Sequence, residues 1–275
     1  MTTATLAPTV ALPRWQGTGT ASQITILTGR SLRAVVSDPK LVIFSVLQPL
    51  IMLLLFSQVF SGMANTASFP AGVTYINYLM PAILVTTGIG AALQSGIGLV
   101  SDMKNGVLAR FRSLPISPGS VLVARSLSDL VRTALQLVIL LVAAVVLFDF
   151  SPAGGLLGVL PAFLLALAVS WALSWIFLAV GAWVRNAESM QTIGFLAMFP
   201  LMFASSAFVP VDGLPAWLRA VATVNPLTYA VDASRNLALD LPVGNGVMAA
   251  LAASAGLMAV GMVAAVRGFR RPLTA

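Results

Sequence analysis

Apolar residues run through this chain in six long blocks separated by short polar stretches. A helix rises 1.5 Å per residue, so about 20 apolar residues cross the hydrocarbon of a bilayer. The blocks 41–60, 75–100, 121–148, 156–184, 187–209 and 243–266 meet that length. They predict an all-α membrane protein with six transmembrane helices, a single domain over 21–266 and a short tail over 267–275. Pro81, Pro161 and Pro200 fall inside or near the start of spans, where packed neighbours tolerate a kink. Residues 1–20 lack the continuous apolar core of a signal peptide and read as a disordered tail. Residues 21–38 place Ile24, Leu27 and Val35 on one face with Arg30 and Arg33 to the side. That pattern predicts a helix lying on the membrane surface, and Asp38-Pro39 then turns the chain inward.

The polar stretches differ in charge from one side to the other. Thirteen of the fifteen Lys and Arg lie in 1–40, 101–132, the turn at 185–188 and 267–275, whereas 61–74, 149–155 and 210–242 hold only Arg219 and Arg235. The eight acids divide four and four, so only the basic residues break the symmetry. The positive-inside rule then puts both termini in the cytoplasm, and six spans keep the alternation that five or seven would spoil. Arg far outnumbers Lys, and Ala, Gly and Val abound, which points to a GC-rich bacterial genome and to its inner membrane.

Composition narrows the chemistry. With 59% hydrophobic and 8% charged residues the chain has too few polar groups to cover a soluble globule. It contains no Cys and no His, which excludes disulfides, thiolate chemistry, imidazole bases and His-based metal sites. The net charge of +7 in a soluble protein would suggest nucleic acid; here it orients the chain in the bilayer, and no nucleic-acid partner is expected.

The stretch SDMKNGVLARFRSLPISPG, residues 101–119, gathers Asp102, Lys104, Arg110 and Arg112 between two apolar blocks. Residues 103–114 can form a short amphipathic helix: Met103, Val107, Phe111 and Leu114 make one stripe, Asn105, Ala109 and Arg112 face away, and Pro115 ends it. Two readings stand, a loop whose charges only fix topology and a helix whose apolar stripe seats on a partner. The block that follows carries Arg125, Asp129, Arg132 and Gln136 at i, i+4, i+7 and i+11, hence on one helical face. A charge at a helix centre costs about 2.5–3.5 kcal/mol on insertion scales, so these residues belong near the cytoplasmic end. There they either pair as a ladder that snorkels to headgroups or line a wet cleft.

Residues 210–242 are too polar to cross and too apolar for an ordinary loop. Pro215 suits a first helical turn, with Trp217, Leu218 and Val221 on its apolar face. Asn225-Pro226 supplies an N-cap and a proline at N1, and Asp232 and Arg235 stand at i, i+3. An interfacial hairpin anchored by Trp217 and Tyr229 and an external gate share this geometry.

Two blocks of the sequence resemble known proteins. Asp102-x-x-x-Gly106, Arg110-Phe111-Arg112-Ser113-Leu114-Pro115-Ile116-Ser117, Arg125 and Asp129-Leu130-Val131-Arg132 form the first. Phe195 to Pro200, Ser205-Ser206-Ala207-Phe208-Val209-Pro210, Leu214-Pro215-Ala216-Trp217-Leu218 and Asn225-Pro226-Leu227-Thr228-Tyr229-Ala230 with Asp232 and Arg235 form the second. Together they resemble ABC-2 type transporter permeases, most closely the daunorubicin-resistance, DrrB-like branch, over nearly the whole chain. Lys104-Asn105 departs from the acidic residue that often precedes the glycine.

The resemblance implies a type V exporter fold in which the first cytoplasmic loop holds a coupling helix resting on an ABC ATPase subunit. The coupling set would be Asp102, Met103, Lys104, Asn105, Gly106, Val107, Arg110, Phe111, Arg112, Leu114 and Pro115. The segment 210–242 would form two re-entrant helices, with Trp217, Asn225, Pro226, Tyr229, Asp232 and Arg235 at an outer gate. Two copies, or one copy and a sister permease, would join two ATPase subunits that bind ATP and Mg; no cofactor is expected in this chain. It has no Gly-x-x-x-x-Gly-Lys-[Ser/Thr] phosphate loop, so it is expected not to be an enzyme by itself.

A cargo surface is expected at Phe44, Gln48, Phe56, Gln94, Phe195, Phe199, Met202 and Phe203, where aromatic and Met side chains give a pliable wall and the glutamines a few hydrogen bonds. Such a wall suits a drug, a polyketide or a lipid better than a polysaccharide or glycolipid, which remains the alternative cargo. An ion-coupled exporter would need a carboxylate near the bilayer midplane. None of the acids falls there: Asp129 and Glu188 lie near inner ends, and Asp149, Asp212, Asp232 and Asp240 lie outside. A membrane enzyme would display paired carboxylates or a His, and here the acids are single and dispersed.

Overall fold

The computed structural model describes residues 39–65, 69–70, 72–105 and 118–271, with isolated positions between 19 and 29. The tail 1–20 (save Gly19), most of the surface helix expected at 21–38 and the loop 106–117 lie outside the described residues. Among those residues the chain is all-helical. Its α-helices are α1 (Pro39–Val59), α2 (Tyr75–Lys104), α3 (Pro118–Phe148), α4 (Gly155–Val184), α5 (Ala187–Phe203), α6 (Ala216–Val224), α7 (Pro226–Ala238) and α8 (Gly246–Arg270). Helices α2, α3, α4 and α8 are long and apolar enough to cross a membrane; α1 carries its apolar stretch over Ile43–Val59 and α5 has 17 residues.

Helix α4 is the centre of the bundle, flanked by α2 on one side and α8 on the other, with α7 across one end. Apolar helices in lipid gain nothing by hiding from water, so association rests on close contact, which small residues permit. A β-carbon on Gly96 of α2 would stand 2.6 Å from the Phe177 carbonyl oxygen of α4, and one on Gly181 would stand 2.8 Å from the Gly96 carbonyl. On the other flank, a β-carbon on Gly261 of α8 would lie 2.8 Å from the Trp175 backbone. The three helices thus meet backbone to backbone. Outward, α1, α3, α4 and α8 present a belt of exposed apolar side chains, among them Leu55, Val146, Leu157 and Val260. That is the surface a helix bundle needs in hydrocarbon.

The two ends of the bundle differ. One, here the basic end, holds the end of α2, the start of α3, the α4–α5 turn and the end of α8. Arg185 closes α4 at a φ of 56°, and its guanidinium donates to the Gly268 and Arg271 carbonyls at 3.2 and 3.0 Å, taking up orphan acceptors at the end of α8. Asn186 then caps α5 through Ser189 N at 3.0 Å, so two residues reverse the chain. The other, the hairpin end, holds the start of α2, the α3–α4 link and everything between α5 and α8. Asn77 and Ser151 bond reciprocally there at 3.0 Å, and Gly154 N donates to the Ala238 carbonyl at 3.0 Å.

Helix α5 ends at Phe203, six residues before the limit of Val209 that hydropathy sets. Residues 204–208 turn inward and are buried although they are apolar enough to continue a span. Polar capture is the reason: Ser205 Oγ donates to the Met202 carbonyl at 2.6 Å, and Asn225 Nδ2 donates to the Leu201 and Ala204 carbonyls at 2.7 and 2.6 Å.

Gly96→Ala is expected to lower the thermal midpoint of the detergent-solubilised protein by about 5 °C, a typical overpacking cost. Gly90→Ala, whose β-carbon meets nothing within 4 Å, should leave it unchanged or raise it. A size-exclusion melting assay reads both.

Candidate functional site

At the basic end, the last turn of α2 brings Asp102 against α3. The Asp102 carboxylate accepts a hydrogen bond from Arg125 Nη1. Arg125 Nε stands 3.5 Å from Asp129 Oδ2, and Arg132 Nη2 stands 3.5 Å from Asp129 Oδ1. Acid, base, acid and base therefore alternate across two helices, and each charge faces one of opposite sign, which a nearly buried Asp129 requires. Gly98 of α2 makes the room, since a β-carbon there would overlap Arg125 Nη2. The same helical face continues to Gln136, whose Nε2 donates to the Ser45 carbonyl of α1 at 2.8 Å. Trp171 Nε1 of α4 donates to Ser126 Oγ at 2.7 Å, and the Thr28 hydroxyl donates to the Ala124 carbonyl at 3.4 Å. The first half of α3 is thus held by α2, α4 and the N-terminal segment, and its middle by α1.

The expected coupling set divides here. Asp102 belongs to the ladder; Lys104 and Asn105 are exposed at the end of α2. Met103, expected on the stripe presented to a partner, instead extends α2 and fills the core beside Leu99, Leu122 and Trp175. The helix keeps its register through Lys104, which turns Met103 toward α3 and α4. Gly106, Val107, Arg110, Phe111, Arg112, Leu114 and Pro115 lie outside the described residues.

At the hairpin end, Arg235 of α7 is 4% exposed. Its Nε donates to the Tyr78 carbonyl at 3.0 Å, Nη2 to the Ser206 carbonyl at 2.8 Å and Nη1 to Asp232 Oδ1 at 2.8 Å. The guanidinium also lies 3.6 Å from the centre of the Tyr78 ring. Burial pulls its pKa below the usual arginine value, and Tyr78, Asp232 and Tyr75 pull it back up. The phenols of α2 complete the clamp, as Tyr75 Oη donates to the Phe208 carbonyl at 3.0 Å and Tyr78 Oη to the Ser206 carbonyl at 3.2 Å. Segment 204–208 is thereby held from both sides. Of the other gate residues, Asn225 is buried and caps α7 through Leu227 N at 2.9 Å. Trp217, Pro226 and Tyr229 are exposed, and the Tyr229 hydroxyl donates to the Thr223 carbonyl at 2.6 Å.

The residues expected to line a cargo path separate into two groups. Phe195, Phe199 and Phe203 stack along one face of α5 with ring centres 5.3 and 4.5 Å apart. The row passes through Phe208 at 5.3 Å to Phe56 of α1 at 4.5 Å. The three α5 rings are exposed on this chain, as are Phe44 and Gln48 on α1 and Gln94 on α2. Met202, seven residues on from Phe195 and so at the edge of the same helical face, also lines a cavity on its other side. Tyr75 and Tyr78 escaped the sequence reading, and Ser206 and Phe208 entered it only within the second resembling block and without a role; the available signal was two phenols at i, i+3 opening an apolar block.

Arg235→Leu is expected to destabilise the protein by about 3 kcal/mol, because the Tyr78 and Ser206 carbonyls and Asp232 lose their partner together. Asp232→Asn should cost under about 1 kcal/mol, since that carboxylate is 43% exposed and solvated. Thermal unfolding of the purified variants measures the contrast.

Residues 22–239 match the family described as ABC-2 type transporter. The chain is 32% identical over 231 residues to the daunorubicin resistance ABC transporter permease protein DrrB1 of Streptomyces coeruleorubidus, covering 84% of this chain and 80% of that one. It is 26% identical over 281 residues to the probable doxorubicin resistance ABC transporter permease protein DrrC of Mycobacterium tuberculosis, covering 98% and 96%. The putative transport permease ycf38 of Porphyra purpurea is 27% identical over 213 residues, covering 78% and 72%.

Proposed function

The chain belongs to the ABC-2 type transporter family, and from that premise we propose that it is the membrane permease subunit of an exporter driven by a separate ATPase. Its cargo is hydrophobic or amphipathic, a drug or a lipid-like molecule, as the names of its relatives and the exposed aromatic row on α5 suggest. In this reading all six apolar blocks cross the inner membrane, α1 and α5 being the two short spans. The basic end faces the cytoplasm and the hairpin end the outside. Helices α6 and α7 re-enter the outer leaflet, and two permeases face each other through the aromatic rows.

The observation that carries this reading is the ladder of Asp102, Arg125, Asp129 and Arg132 at the two exits of loop 106–117. A chain without a phosphate loop must receive its mechanical input from outside. Arg125 ties the helix that enters that loop to the helix that leaves it, so a partner pressing on the loop moves α2 and α3 as one body. ATP and Mg belong to the partner. Closure of its nucleotide domains displaces the loop helices, and the paired bundles change which side they open to.

The test looks for an ABC ATPase in the neighbouring reading frame and co-expresses it with this chain. Phe111→Asp and Leu114→Asp should leave the protein inserted in the membrane while cargo-stimulated ATP hydrolysis falls by about tenfold, a loss near 1.4 kcal/mol of coupling. Hydrolysis and transport at the unsubstituted level in both variants would remove the coupling assignment. Arg125→Gln should lower transport with the ATPase still bound, because the break then lies beyond the contact; loss of the ATPase on purification would place Arg125 in the docking surface instead.

A further inference from the structure

Next to the aromatic row lies a cavity of about 350 Å³ walled by α2, α4, α5, α7 and α8. Ala197 and Met202 of α5, Leu173 of α4 and Ala253 of α8 face into it, and Leu227 and Tyr229 of α7 roof it at the hairpin end. It opens sideways: Leu201, Leu257 and Tyr229 all line it and are 42, 39 and 52% exposed. The opening lies between α5, which buries only Met190 and Gly194, and α8, which packs chiefly on α4.

No charged side chain lines the cavity. Of its hydroxyls, that of Thr86 donates to the Ile83 carbonyl of its own helix at 3.3 Å and that of Tyr229 to the Thr223 carbonyl, which leaves Ser254 alone. A drug-sized ligand is held by several converging polar groups, and a water needs two or more partners; this space offers neither. A hydrocarbon chain needs only contact. The length agrees. From Ala249 to Leu257 the α8 wall spans roughly 12 Å at 1.5 Å per residue, close to the roughly 15 Å of one leaflet's hydrocarbon.

We propose that this cavity holds one acyl chain of a membrane phospholipid from the leaflet at the hairpin end. The chain enters between α5 and α8, its headgroup staying beside Tyr229, and fills the space that keeps α5 apart from α4 and α8. None of Phe195, Phe199 and Phe203 lines the site, so it is distinct from the aromatic row. It depends on the chain being embedded in a bilayer and not on the coupling reading above.

The experiment uses the full-length chain in nanodiscs of phosphatidylcholine doped with a phosphatidylcholine carrying a diazirine at the end of one acyl chain. After illumination, mass spectrometry maps the adducts. Ala197, Met198, Leu201, Ala249, Ala253 and Leu257 should be labelled about tenfold above the lipid-facing Val142, Val145, Val146 and Leu147 of α3, the difference between a held chain and a passing one. Ala253→Phe, which fills the cavity, should bring that labelling down to the α3 level while the α3 adducts persist. Ala197→Leu narrows it from the opposite wall should the first variant fail to fold, and the wild-type comparison decides by itself if neither folds. Labelling no denser than on α3 would overturn the proposal, as would labelling that filling leaves unchanged. Loss of the adducts on adding a water-soluble hydrophobic drug would assign the cavity to the cargo and overturn it too.

Discussion

Backbone contact between α4 and its two neighbours is the constraint from which the other placements follow. Lipid offers no reward for hiding apolar surface, so three helices in van der Waals register need positions without side chains. Gly96 and Gly181 meet on one flank and Gly261 meets Trp175 on the other. Once α2 is fixed against α4, its ends are fixed as well. Asp102 arrives at α3 at the basic end, and Tyr75 and Tyr78 arrive under the 204–208 turn at the hairpin end. Both polar clusters are consequences of where one helix lies.

The two clusters solve the same electrostatic problem in different ways. The ladder at the basic end pairs formal charges with one another, two acids and two arginines, across helices that leave and re-enter the membrane surface. Arg235 meets only one formal charge and gives its other hydrogens to backbone carbonyls and its face to a ring. Carbonyls that face inward from a non-helical turn would be unsatisfied in a dry interior, and the guanidinium fork reaches two of them from one position. The irregular stretch 204–208 is tolerated inside the bundle because of that side chain.

How much of this was legible in the chain depends on the range of the interaction. Blocks of about a helical crossing's length mark α2, α3, α4 and α8 because hydropathy alone sets them. The Asn225-Pro226 start of α7 and the i, i+3 pair of Asp232 and Arg235 are local, and spacing reveals them. The face shared by Arg125, Asp129 and Arg132 follows from helical period. Contacts across the fold left no such trace. Asp102 joins Arg125 over 23 positions, and Arg235 reaches Tyr78 over 157. Met103 looks like part of an amphipathic stripe because its period continues into the loop, yet its neighbour in space is Trp175. The end of α5 was hidden because most residues beyond it are apolar, and the hydrogen bonds that stop the helix come from Ser205 and from the distant amide of Asn225.

Asn225 serves both sides of the excursion between α5 and α7. Its amide nitrogen holds the Leu201 and Ala204 carbonyls, and its side-chain oxygen caps α7, so the chain leaves the bundle and returns to it within reach of one residue. Whatever stands between, including the 3₁₀ turn at Val211–Gly213 and α6, hangs from a closed neck. The entropy of closing a loop grows only slowly with its length. This neck is therefore the place where evolution or an engineer could lengthen, shorten or exchange an appendage while the helices beneath keep their seats.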